Sequence, residues 1–318
     1  AGLWMIRSRK RLKGLFLAAL CAGLLFSLHP GFRRLDGRLT VTFLDVGQGD
    51  GILIEKGNRT VLIDGGSTDE KSLGEQVLEP CLKSKGISRV DYAIISHGDE
   101  DHISGVRYLL EEKGGVKIEN LVIPVLGREE EAVKELKELM TAHSFSKKEN
   151  IWEMKAGDRI KVGDLLFTCL YPQKEDEAEN SNQQSLVMMM SYGDFNLLLT
   201  GDTEEVCEKK MIERPFVREQ IRKADVLKTA HHGSGSATSQ NFLNTADNLK
   251  WAVISCGENN RYGHPAKEVV QRMKEKGLKV FVTYEKGAVI LKKDKKLTKN
   301  LRFSFFIYQK SFEFLQPK

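Results

Sequence analysis

At 318 residues, 41% of them hydrophobic, the chain can build one large α/β domain with a substantial buried core, or two small ones. Its formal net charge of +5 is unevenly spread: of 49 Lys and Arg against 44 Asp and Glu, residues 1–38 carry 8 against 1 and residues 291–318 carry 8 against 2. That leaves 33 against 41 over residues 39–290, an acidic body that argues against broad electrostatic binding of nucleic acid by the body itself.

Residues 7–13 are strongly basic and precede an uncharged apolar run over residues 14–28. As a helix rising about 1.5 Å per residue, the run is marginal for a bilayer core that needs roughly 20 residues, though residues 29–32 extend it. The length also fits a signal-peptide core, but no small-x-small cleavage site follows. The reading favoured is a basic flank and one retained transmembrane helix over residues 1–37, with a signal peptide or a buried helix as alternatives. Basic residues are denser before the run than after it, which places the following domain on the outer face of the cell membrane, although Arg33, Arg34 and Arg38 oppose that orientation. The first residue is Ala, so a further domain, such as a channel, is expected upstream.

From residue 39, short aliphatic runs alternate with amphipathic stretches, the pattern of a layered α/β domain. Strands are predicted over residues 40–45, 52–55, 60–63 and 91–95, and helices over 71–84, 102–113 and 129–143. A second set of strands follows over 165–170, 186–192 and 195–199, the last two separated from the first by an exposed acidic and amide-rich loop over 174–184. Then come a helix from Glu204, a strand over 225–228, a helix from Gln240, a strand over 251–255, a helix over 266–276 and closing strands to about Leu291. Two strand sets, each with its helices, predict an αββα sandwich over residues 38–300. The basic and aromatic tail over 301–318 is either one more strand or a membrane-facing element. Five scattered cysteines, Cys21, Cys81, Cys169, Cys207 and Cys256, include no CxxC pair and suggest neither a zinc knuckle nor a disulfide framework.

The strongest chemical signal is Ser96-His97-Gly98-Asp99-Glu100-Asp101-His102, at the junction of a buried strand and a helix. Histidine and carboxylate ligands fanned from one turn suit a divalent transition metal that keeps a position open for water. Three more predicted strand ends carry compatible groups: Asp64 before Gly65-Gly66, Asp202, and His231 with His232 before Gly233. Without a metal, stacking His, Asp, Asp and His at one turn would gather several groups that are costly to bury. Asp202 could instead cap a helix, as Thr203 and Glu204 follow it. His29 and His143 lack partners and read as ordinary polar residues. Gly47, Gly49 and Gly51 read as turn glycines, because no GxGxxG register or following helix accompanies them, and no nucleotide cofactor is implied. Gln48 and Asp50 are candidates to line the cleft and support a ligand. Asn182, Ser185, Asn260 and His264 are candidate substrate contacts, His264 also a candidate donor to a leaving group. Met188 to Met190 read as core strand.

In the order and spacing of these groups the chain resembles the metallo-β-lactamase superfamily, whose signature is HxHxDH, then a bridging Asp, then a His before Gly. The resemblance implies one or two divalent cations, Mn2+ or Zn2+. His97 and Asp99 would face the first, Asp101 and His102 the second, Asp202 both, and His232 the second, with His231 able to exchange with His232. Asp64 would orient a ligand histidine. Asp99 stands where most members have His, which leans the first position toward manganese, and the general pattern's third histidine, between residues 165 and 190, is absent. Within the superfamily the likeness narrows to the C-terminal domain of the ComEC family of bacterial DNA-uptake proteins. It rests on Phe43 to Asp50, the HxDxDH form, Leu199 to Asp202, Lys228 to Ser234 and Asn260 to Pro265. It implies phosphodiester hydrolysis of single-stranded DNA beside a membrane channel, with Asp101, Asp202 and His264 as catalytic candidates. A small-molecule phosphoester hydrolase, or a non-catalytic strand-guiding module, are the competing readings.

Overall fold

The computed structural model describes residues 37–111, 114–142, 150–293 and 301–306, with a few isolated positions between 13 and 23. The expected transmembrane run lies largely outside them, as do His29, His143 and residues 307–318. Among the described residues no helix is long and apolar enough to cross a membrane.

Two sheets pack face to face. The first contains β1 (Leu39–Phe43), β2 (Ile52–Lys56), β3 (Arg59–Ile63), β5 (Tyr92–Ile94), β7 (Leu121–Pro124), β8 (Ile151–Met154), β16 (Ala288–Lys293) and β17 (Leu301–Phe306), in the order β17-β16-β1-β2-β3-β5-β7-β8. The second contains β9 (Arg159–Val162), β10 (Leu165–Tyr171), β11 (Val187–Tyr192), β12 (Phe195–Leu199), β13 (Val226–Lys228), β14 (Trp251–Ile254) and β15 (Lys279–Val282), in the order β15-β14-β13-β12-β11-β10-β9. A side pair, β4 (Arg89–Val90) and β6 (Lys117–Ile118), completes the strands.

The period of two along each strand sorts side chains between layers. Val41, Phe43, Ile52, Ile54, Met188, Met190 and Leu197 meet in the core between the sheets, while Leu53 and Met189 turn outward under helices. Outside the first sheet lie α1 (Glu79–Ser84), α2 (Glu100–Leu110) and α3 (Glu131–Ala142). Outside the second lie α4 (Glu205–Glu213), α5 (Pro215–Arg222), α6 (Gln240–Thr245) and α7 (Lys267–Glu275). The layering is the predicted αββα sandwich.

Each sheet has a parallel half, β3-β5-β7-β8 in one and β12-β13-β14-β15 in the other, because helical crossovers return the chain in the same direction. The C-terminal ends of these strands are where an α/β fold gathers functional loops. Three differences from the predicted elements have local causes. Strands β7, β8 and β9 have four residues each, too few to show a period in sequence. The helix predicted from Glu204 is two, because Pro215 starts a new one after the extended Arg214. The helix predicted over 71–84 begins as a wide turn (Gly74–Leu78), where Gly74 lies so close to Tyr108 that a Cβ would come within 2.4 Å of it. Of the two readings of the tail, the strand holds over Leu301–Phe306, where β17 pairs antiparallel with β16 and continues the first sheet.

Candidate metal centre

The turn after β5 leads directly into α2. Asp99 takes the extended N-cap conformation, and Glu100 and Asp101 sit in the first helical turn, where the helix dipole favours carboxylates. Two glycine loops clamp this turn. Asp50 N donates to Asp101 O (2.9 Å), Gly65 N to His102 O (2.8 Å) and Gly66 N to Asp50 O (2.9 Å). A Cβ on Gly66 would lie 2.4 Å from both Asp101 C and His102 N, and one on Gly49 would lie 2.6 Å from Asp101 O, so only glycine permits the approach.

Three histidines converge there with their Nδ1 sides engaged. His102 Nδ1 lies 3.0 Å from Asp64 Oδ2, and Asp64 Oδ1 accepts from Ser96 N at 2.7 Å. His97 Nδ1 lies 3.0 Å from Ser96 Oγ and 3.5 Å from Ser185 Oγ. His232 Nδ1 donates to the carbonyl of Ser255 at 2.8 Å. All three rings are buried, and the Nε2 of each lacks a hydrogen-bond partner. His102 Nε2 lies 3.4 Å, and His232 Nε2 3.3 Å, from Asp202 Oδ2; His232 Nε2 is also 3.3 Å from Asp101 Oδ2. His97 Nε2 faces the half-exposed Asp99 at 3.5 Å. Three buried imidazole nitrogens without partners, with Asp202 Oδ1 equally unpartnered, form a donor set whose chemistry fits a divalent cation. Ligand atoms of His97, His102 and Asp202, and of Asp101, His102 and His232, each fall within 4.8 Å of one another.

Backbone strain accompanies this convergence. Asp64, His231 and His232 all adopt left-handed φ values of 53°, 47° and 54°, a conformation rare outside glycine and found mainly where function demands it. The paired twist at 231 and 232 turns His232 inward and leaves His231 at the rim, its Nε2 3.8 Å from Asp202 Oδ2.

The electrostatics follow from burial and proximity. Burial pulls His232 toward its neutral form, but Asp202 and Asp101 more than reverse this and push its pKa up to about 10. His102 is likewise driven up against burial by Asp202 and Asp64. Burial alone would raise Asp101, yet His232 and His102 bring it down to about 2; Asp202 is held low by the same two rings despite its burial.

The remaining predicted residues occupy the surroundings. Ser185 Oγ accepts from Asp202 N at 3.1 Å, and Asn182 opens the short turn (Asn182–Gln184) that precedes it. Gln48 Oε1 accepts from Gly257 N at 3.4 Å, joining the first glycine loop to the loop after β14. Asn260 spends its side chain on its own loop: Nδ2 donates to Gly257 O and His264 O, and Oδ1 accepts from Tyr262 N and His264 N. The His264 ring thereby stands 5.4 Å from His231 and 6.4 Å from His232. Asp50 is buried, 4.0 Å from His102 Nδ1, and pairs at 2.6 Å with Lys228 Nζ.

Sequence reasoning did not single out Lys228, Ser96, Glu130 or the Ser255 carbonyl. Glu130 packs against the His97–Asp99 turn, where a Cβ on Gly98 would meet its Oε2 at 2.4 Å, and burial pushes its carboxyl up. That Lys228 closes the apolar run of β13 is the one sequence feature that sets it apart from a surface lysine.

Comparison with known proteins identifies the family of this fold. The chain is 35% identical over 301 residues to ComE operon protein 3 of Bacillus subtilis, covering 90% of this chain and 37% of that protein. It is 28% identical over 257 residues to Competence protein ComA of Neisseria gonorrhoeae, covering 80% of this chain and 32% of that one. It thus spans about a third of the length of these relatives. In fold it is similar to the metallo-beta-lactamase fold protein YhfI of Bacillus subtilis, with a TM-score of 0.54 and 14% identity over 80% of this chain and all of that one. A profile of the Metallo-beta-lactamase superfamily matches residues 44–257, from the end of β1 to the loop after β14. The chain therefore belongs to the metallo-beta-lactamase superfamily, and it is similar over most of its length to bacterial competence proteins.

Proposed function

We propose that the chain is a metal-dependent phosphodiesterase that cleaves single-stranded DNA at the outer face of a cell membrane during competence-related uptake. The observation that carries the chemistry is the trio of buried, unpartnered Nε2 atoms converging with carboxylates at Asp202. Support for DNA as substrate comes from the similarity to ComE operon protein 3 and Competence protein ComA. His97, Asp99, Asp101, His102, Asp202 and His232 would hold one or two cations, Mn2+ or Zn2+, with Asp99 tilting the choice toward manganese. Bound there, they would supply Lewis acidity to the phosphoryl oxygens and lower the pKa of solvent.

The chain's own groups then have definite tasks. Asp101 and Asp202 accept hydrogen bonds from the attacking water and fix its line of approach, and the water's proton leaves to solvent past Asp101, the more exposed of the two. As the water oxygen bonds to phosphorus, the bond to the leaving deoxyribose oxygen breaks and that oxygen takes a proton from solvent. His264 stands beside the cluster for this step. Burial and the neighbouring His231 and His232 bring its pKa down to about 4, so at neutral pH it is a neutral imidazole that can donate one hydrogen bond to the departing oxygen. Asp64 and the Ser255 carbonyl lock the His102 and His232 rings so that only Nε2 faces the reaction.

The test is cleavage of labelled single-stranded DNA after chelation and then after add-back of Mn2+ or Zn2+. Absence of metal-restored cleavage by a folded protein refutes the proposal. The acidic body favours a second reading, a phosphoester hydrolase of small molecules, which would turn over a chromogenic diester without competition from DNA.

A further inference from the structure

We infer that Tyr262, with Arg261, is a stacking step that receives one nucleobase of the strand beside the candidate metal centre. The inference rests on the nuclease reading above and names how that site would grip its substrate. The Tyr262 ring lies 5.7 Å from the His264 ring at an interplanar angle of 22°, and His264 lies 6.4 Å from His232 at 29°. A ladder of nearly parallel rings therefore runs from solvent to the histidine that faces Asp101 and Asp202.

Tyr262 remains 47% exposed at the outer end of that ladder, one of few large apolar side chains so placed among the described residues. The fold makes little use of it: its hydroxyl accepts only from Arg261 Nη2, at 2.6 Å, and Arg261 is itself on the surface. Its backbone, by contrast, is held firmly, because the Asn260 side chain ties Gly257, Tyr262 and His264 together with four hydrogen bonds. An aromatic face presented on a fixed loop binds without an ordering cost.

Charge explains why such a step is needed. With 33 basic against 41 acidic residues over 39–290, the body offers no surplus of cations to release counterions from a polyanion. Base stacking supplies affinity that does not depend on that surplus, and every base has a face to stack. The Arg261 guanidinium lies 4.8 Å from the Tyr262 ring centroid and close enough to Asp101 to feel its charge. Swung from the ring, it can meet a phosphate next to the stacked base. A base must leave its duplex neighbours to reach the step, so the geometry selects single strands.

The experiment uses the full chain in Mn2+ buffer and short single-stranded oligonucleotides, intact or with one abasic position moved along the strand. For the parent protein, one abasic position is expected to lower kcat/KM and weaken the Kd from fluorescence anisotropy by about 5- to 150-fold. Tyr262→Leu is expected to show that loss on the intact strand and no further loss at that position, while Tyr262→Phe stays within about twofold of the parent. Turnover of methyl 4-nitrophenyl phosphate, which has no base, should be unchanged in both variants. If Tyr262→Leu keeps the parent's abasic profile, or if Tyr262→Phe is as damaging as Tyr262→Leu, the stacking step is refuted. A parent protein that binds the strand without cleaving it overturns the nuclease reading alone, and Kd then tests the step. Failure to bind the strand at all overturns both.

Discussion

Replacing Lys228 with methionine tests the electrostatics beneath the candidate centre. Lys228 and Asp50 are 1% and 2% exposed, with Nζ 2.6 Å from Oδ2 and a second bond to the Thr229 carbonyl at 3.0 Å. Burial pulls the amine toward neutrality, but Asp50, Asp202 and Asp64 lift its pKa above the ordinary value, so it is charged. Lys228→Met keeps an unbranched stem and leaves Asp50, whose Oδ1 already lacks a partner, as an uncompensated buried carboxylate. One-sided loss of a buried pair costs about 3–5 kcal/mol, a large part of the roughly 5–15 kcal/mol that holds a domain folded. Removing both charges with Asp50→Asn and Lys228→Met should bring the protein back to within about 1–2 kcal/mol of the parent. Urea unfolding followed by circular dichroism, in chelator, reads each corner of the cycle. Should Lys228→Met cost less than about 1 kcal/mol, or the double variant cost the sum of the singles, the pair is not the buried charge couple described.

Asp64→Asn removes the carboxylate that orients His102 and should weaken metal binding by about 10- to 100-fold in competition with a chromogenic chelator; unchanged affinity would show that the Asp64–His102 contact does not shape the site. Gly66→Ala pushes a methyl into Asp101 C and His102 N, and by moving both ligands it should cut kcat/KM by about 100-fold while both side chains remain intact. Normal turnover in that variant would refute the clamp. Because the His232 pKa is raised to about 10, its contribution to metal-free stability is complete below about pH 6.5 and is lost as pH rises through 10. A cation must displace that proton and the one held on His102, so apparent affinity should climb by at least about tenfold per pH unit between about 7 and 10, with proton release visible by calorimetry in buffers of different ionisation enthalpy. A flat affinity profile would contradict the pairing of His232 with Asp101 and Asp202.

Much of this architecture was legible in sequence because the chemistry and the strand ends coincide. Apolar runs closed by Gly or by a ligand-type residue marked β3, β5, β12 and β13, and the HxDxDH turn packs four candidate ligands into six residues. What escaped has a common physical cause, in that it depends on neighbours distant along the chain. Edge strand β8 carries two exposed positions in four and shows no core pattern, and β9 alternates exposed and buried but over four residues only, too short a run to stand out. The partner of His232 Nδ1 is a backbone carbonyl, which no side-chain pattern announces. Lys228 closes an apolar strand, but its partner Asp50 and the charges of Asp64 and Asp202 come from loops distant in sequence. Glu130 reads as an ordinary acidic residue near a helix start, and only the approach of Gly98 gives it a place beside His97.

The candidate ligands divide between the sheets: His97, Asp101 and His102 follow a strand of the first, whereas Asp202 and His232 follow strands of the second. Below them the two layers meet mainly through a hydrocarbon seam, with the Lys228–Asp50 pair as one of few polar ties across it among the described residues. A cation gripped from both sides would act as a rivet at the open end of that seam, adding about 2.7 kcal/mol to folding at a hundred times its dissociation constant. Scarcity of the ion would then loosen the sandwich itself, so that supply of a trace element would govern how long the protein survives as well as how fast it works.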